Sequence, residues 1–157
     1  MIQRIQTVYL TLASTAMGMM FFIPILKFIG EPDFFYTPFG FKADQDDMSF
    51  LGDTPCYSGI ILALVVLIMV LQLLAIVQFK NRNLQMNLCK GAMFFQAGIV
   101  AALLFIISSI LTPFKDTHEI GYGIGYFLPI VSLILTALAL SAIRKDEKLV
   151  KSLDRLR

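Results

Sequence analysis

The sequence predicts an all-α membrane protein: four transmembrane helices in an antiparallel bundle, both termini cytoplasmic, with a small aromatic-rich extracytoplasmic cap after the first helix. Three observations carry this. Of 157 residues, 57% are hydrophobic and only 15% charged, against about a quarter charged in a soluble domain. The charges are clustered, leaving uncharged runs of 22 residues after Arg4, 26 after Asp53, 24 after Lys90 and 24 after Glu119. A hydrocarbon core about 30 Å thick needs about 20 apolar residues in a helix. Finally, the polar segments between the runs differ in sign. The N-terminus, "KNRNLQMNLCK" and the tail hold ten Lys and Arg against three acids; the segments 27–53 and 115–119 hold three against eight. An excess of Lys and Arg marks the cytoplasmic side.

The first span runs over about 5–28. Arg4 followed by apolar residues resembles a signal peptide, but the run is longer than the roughly 7–15 residues of a cleaved apolar region, so a retained span is expected. Pro24 near its outer end kinks the helix or begins a new one. The outer loop covers 29–56. Within it, "FFYTPFGF" places Phe34, Phe35, Tyr36, Phe39 and Phe41 in eight positions. Thr37-Pro38-Phe39-Gly40 has Pro at the second and Gly at the fourth position of a turn, which points to a short β-hairpin. Its rings suit either a cap in the headgroup layer or a docking surface for another protein. The enrichment of aromatics at membrane interfaces favours the cap. The acids Asp44, Asp46 and Asp47 lack the spaced Gly and distal Glu of a calcium loop and read as solvated.

The remaining spans cover about 57–79, 91–114 and 120–143, and together the chain forms one domain. Backbone amides find no partners in lipid, so each run is expected to be helical. Apart from Lys27 at the outer end of the first, none of the four contains Asp, Glu, Lys, Arg or His. That counts against a pump or proton-coupled carrier, which needs ionisable groups in the membrane. The polar exceptions are Gln72 and Gln96, which on antiparallel helices fall at similar depth and predict a hydrogen bond between the second and third spans. Small residues recur at packing spacing, among them Gly121-x-x-x-Gly125. Pro129, like Pro24, lies near an outer end.

Catalytic and metal patterns do not assemble. Cys56 and Cys89 fall on opposite sides in this topology, and there is no CxxC. His118 is the only histidine, in a short loop beside Asp116 and Glu119, too few convergent ligands for a metal. No phosphate loop or nucleophile elbow occurs. No cofactor is expected, and the protein reads as a non-enzyme. Nucleic acid is a poor partner for the basic end; anionic lipid headgroups suit it better. The tail, 144–157, continues helically. Leu149, Leu153 and Leu156 share one face, suited to the inner leaflet or a partner.

The opening "MIQRIQTVYL", the loop "KNRNLQ" and the ending "AIRKDEKLVKSLDRLR" resemble an uncharacterised four-span inner-membrane family of Bacteroidota. The resemblance implies location in the bacterial inner membrane and, because those segments face the cytoplasm, a partner site near Arg4, Lys80, Arg82, Gln85 and the tail. The reading is therefore a small non-enzymatic membrane subunit that binds or stabilises a larger inner-membrane assembly. Its partners would be lipids and other integral subunits. The alternative is a carrier or binder of lipid or a small hydrophobic ligand.

Overall fold

Proline sets the first boundary. Helix α1 spans Gln3–Met19, shorter than the run of 5–28 from which it was expected. Pro24 lacks an N–H, and its ring restricts the residue before it, so the helix cannot run through it. The chain tightens first: Met20, Phe21 and Phe22 donate to the carbonyls of Met17, Gly18 and Met19, using carbonyls that the helix end would otherwise strand. Beyond Pro24 the residues expected to finish the span instead enter strand β1, Leu26–Ile29.

In the computed structural model, residues 3–29, 34–43, 55–79, 81–114 and 119–154 are described. They form four helices and a four-stranded antiparallel sheet. The sheet comprises β1, β2 (Phe34–Thr37), β3 (Gly40–Ala43) and β4 (Glu119–Tyr122), in the order β3-β2-β1-β4. The hairpin expected in "FFYTPFGF" is present as β2 and β3, with Thr37 opposite Gly40. Gly40 has φ 122°, a region that a side chain disfavours, and the Thr37 hydroxyl donates to its carbonyl at 2.9 Å. Strands β1 and β4 were not foreseen. They join the hairpin because β1 has two free edges to offer: Leu26 lies between Tyr36 and Tyr122, and Lys27 between Phe35 and Gly121. Pairing satisfies backbone groups that would otherwise need water.

Helix α2 spans Pro55–Val77, α3 Arg82–Phe114 and α4 Leu128–Asp154. Pro55 and Pro129 lie in first turns, where a missing N–H costs nothing. The segment expected as a loop over 80–90 is mostly helix: the Asn81 carbonyl accepts from Gln85 at 2.9 Å, starting α3. Likewise α4 runs without a break from the fourth apolar run into the basic tail. Each helix packs on its two neighbours around the bundle, α1 on α4 and α2, α3 on α2 and α4. The four strands close one end.

The interior is layered. Under the sheet lies an apolar cluster containing Met17, Ile25, Phe28, Tyr36, Ile61, Ile68, Ile99 and Leu103. Toward the termini a second contains Leu10, Ala75, Cys89, Ala139, Leu140 and Ile143. Between them along each helix fall the buried residues Ser14, Gln72, Gln96, Ser132 and Thr136. Outside, the helices present large apolar side chains such as Val66, Leu73, Val77, Phe94, Phe105 and Ile134.

Candidate functional site: a polar layer inside the bundle

Ser132 and Thr136 are one turn apart on α4, so their hydroxyls share a face. That face meets Gln72 of α2 and Gln96 of α3, both 0% exposed. The Gln72 Nε2 donates to Ser132 Oγ at 3.1 Å and to Thr136 Oγ1 at 3.1 Å. The Gln96 Nε2 donates to the same two oxygens at 2.7 and 3.4 Å. The hydroxyls pass their own protons to backbone: Ser132 to the Ala13 carbonyl of α1 at 2.9 Å, and Thr136 to the Ser132 carbonyl at 2.8 Å. One network thus ties all four helices.

The two glutamines meet, but not through the direct amide–amide bond that their depth suggested. All four N–H groups are directed to α4, leaving neither amide a proton for the other carbonyl. Ser132 and Thr136 were not foreseen. Their i,i+4 spacing in an otherwise apolar run was the available signal, but hydroxyls in a membrane helix usually bond their own backbone, so spacing alone did not distinguish them.

A second polar group lies at the end carrying the termini. Gln6 Nε2 of α1 donates to Asp146 Oδ2 of α4, and Arg82 Nη1 of α3 donates to the Asp146 backbone carbonyl at 3.4 Å. Asp146 and Gln6 are buried. Asp146 sits among the basic residues of the tail, where the sequence alone gave it no distinction from Glu147.

The residues proposed for partner contact have different fates. Phe39 is exposed and its ring centroid lies 5.7 Å from that of Phe21, and Phe35 is half-buried. Tyr36, grouped with them on composition, is 1% exposed and belongs to the core under the sheet. Alternation explains this: adjacent strand residues face opposite sides. Burial pushes its phenol pKa up to about 12. The strand positions of Phe34 and Phe41 are described, their side chains are not. Gln85 is buried, Arg82 half-buried and Leu149 exposed. Arg4 lies in α1 and Leu153 in α4, with side chains outside the description; Lys80, His118 and the acids Asp44, Asp46 and Asp47 lie outside the described residues. Cys89 is buried, which bears on labelling below.

The Gly121-x-x-x-Gly125 spacing does not mark a helix face. Gly121 is in β4, and Gly123 and Gly125 precede α4. Their N–H groups donate to the Ile25 and Pro24 carbonyls at 2.9 and 3.2 Å. A Cβ on Gly123 would fall 2.2 Å from the Pro24 oxygen, and one on Gly125 2.7 Å. These glycines let the α3–α4 connection cross the α1–β1 connection backbone to backbone.

Fold and site together define a helical bundle with a sheet at one end and a polar layer inside, three of whose helices, α2, α3 and α4, are long and apolar enough to cross a membrane. The chain belongs to the family described as a domain of unknown function (DUF4293), whose model matches residues 2–156. No curated protein matches it.

Proposed function

We propose that the protein is a small, non-enzymatic subunit embedded in the bacterial inner membrane by four helices, where it binds or stabilises a larger assembly. The observation that carries this reading is the inverted polarity of the bundle. Two amides and two hydroxyls are sealed inside, while Val77, Phe94 and Phe105 stand 69%, 75% and 62% exposed. In water such apolar surface costs about 25 cal/mol per Å²; against lipid or another membrane helix it does not. Helix α1 is the shortest, about 26 Å at helical rise, and its closing turn through Phe22 brings it near the thickness of a hydrocarbon core. The ten basic residues of the N-terminus, the 80–90 segment and the tail support an orientation with the termini cytoplasmic and the sheet outside.

The partner surface in this reading is the rim of the sheet end, where Phe22, Phe39, Tyr122, Ile124 and Phe127 are exposed. Purification of the native protein in mild detergent, with identification of what accompanies it, tests the reading. Replacing Phe22 and Phe39 by Ser should release a co-purifying protein and leave the bundle folded. A protein that leaves native membranes alone, at its natural abundance, would sink it. Topology is tested with cysteines introduced in a Cys56→Ser, Cys89→Ser background, since native Cys89 is buried and would escape reagent on either side. An impermeant thiol reagent on spheroplasts should label Phe39→Cys and spare Asn83→Cys until lysis.

A groove of about 890 Å³ between α1 and the end of α2 supports the lipid-binding alternative. It is lined by Thr7, Val8, Thr11, Leu12, Ile76, Val77 and Phe79. A lipid that survives purification and disappears on Val8→Trp would favour this second reading.

A further inference from the structure

We propose that the carbonyl oxygens of Gln72 and Gln96 form a buried site for one water molecule, which joins α2 to α3 in the middle of the bundle. The argument is a count of donors and acceptors. A carboxamide has two N–H donors and one carbonyl oxygen; a hydroxyl has one donor and two lone pairs. The Ser132 and Thr136 protons are committed to backbone carbonyls. Their four lone pairs receive the four amide N–H groups. The square is closed.

This closure fixes which way each amide faces. Turning either one over would bring its carbonyl to the hydroxyls, draw their protons off the Ala13 and Ser132 carbonyls, and leave two N–H donors unmet in place of one carbonyl oxygen. The two Oε1 atoms are therefore directed elsewhere. Both are buried and have no hydrogen-bond partner among the described residues. A buried acceptor left unmet costs about 1–3 kcal/mol, and the apolar layers on either side offer no donor.

The chemistry of the missing partner follows. It must donate and need not accept, because no donor in the square is spare. It must also be small, since both side chains are fully buried. Water brings two O–H donors, one for each oxygen. A metal ion fits less well. Calcium takes about 6–8 oxygens, and here the hydroxyl lone pairs are occupied. No carboxylate belongs to the square to offset a charge held in an apolar interior, where an unpaired ion is costly. Water thereby makes the α2–α3 link that the amides cannot make directly.

The test is nuclear magnetic resonance on the full chain in lipid nanodiscs. Labelling the pairs Gln72–Leu73 and Phe95–Gln96, each of which occurs once in the sequence, assigns both glutamines without a variant. Both side-chain amides should show cross-peaks to a water with a residence time far longer than bulk solvent. The Cδ shifts should stay unchanged when sodium is replaced by potassium or choline. Absence of a long-lived water at both amides would overturn the proposal. So would Cδ shifts that follow the cation, which would make the site ionic.

Discussion

The sheet end and the polar layer both bury polar groups away from water, and they meet the requirement in opposite ways. At the sheet end the groups are backbone N–H and C=O, identical at each residue, and a ladder of four strands satisfies them by repetition. What that end needs from the sequence is room, and Gly123 and Gly125 supply it where two connections cross. In the layer the helices already satisfy their own backbone. The groups that need partners are side chains, and each must find its match on a different helix. The sheet end should therefore be sensitive to added volume and tolerant of side-chain chemistry. The layer should be the reverse.

Gly123→Ala should have the largest effect. Its Cβ would overlap backbone oxygens of Pro24 and Ile25 that cannot swing aside, so a loss of about 3 kcal/mol is expected, read as a fall in thermal unfolding temperature in detergent. Gly121→Ala is the control. Its nearest neighbour would be 3.7 Å away, and the change should stay within about 0.5 kcal/mol. Equal effects at the two positions would mean that the crossing is not what holds the sheet end.

Ser132→Ala comes next. It removes an acceptor shared by two amides and a donor to Ala13, for an expected loss of about 2 kcal/mol. Thr136→Val removes the other shared acceptor while keeping shape and should cost about 1 kcal/mol. An isosteric change in the layer that costs nothing would break the contrast with the sheet end.

A smaller effect should appear at alkaline pH. The Tyr36 phenol is pushed up to about 12 from 10.0 by burial. The folded state thus favours the neutral phenol, and its stability is intact below pH 10 and erodes as pH rises toward 12. Unfolding temperature should fall more steeply over that window in the native protein than in Tyr36→Phe. Parallel curves would refute the assignment. Phe39→Ser, on the exposed rim, should change stability least, by less than about 0.5 kcal/mol, whatever it does to a partner.

The hairpin of "FFYTPFGF" was legible because its turn is local: Pro38 fixes its own φ and Gly40 admits the positive φ of 122°, without reference to the rest of the chain. Strands β1 and β4 were not legible. Leu26–Ile29 and Glu119–Tyr122 are 90 residues or more apart, and each is a strand because the other two-strand unit or the other loop is beside it. The same holds inside the bundle. Gln72 and Gln96 stood out as the amides of apolar runs, yet Ser132 and Thr136 were ordinary hydroxyls until packing placed them opposite.

By itself the sequence determined the apolar runs, the hairpin turn and the uneven charge of the two ends, since these depend on composition and on residues within a turn of one another. Tertiary structure decided where α1 stops and a strand begins, which glycines carry a backbone crossing, that Tyr36 belongs to the core, and that two amides address α4 instead of each other. Those outcomes depend on which groups meet across the bundle. A donor or acceptor in an apolar interior is bound to whatever partner packing brings within about 3 Å, and that partner is set by the fold.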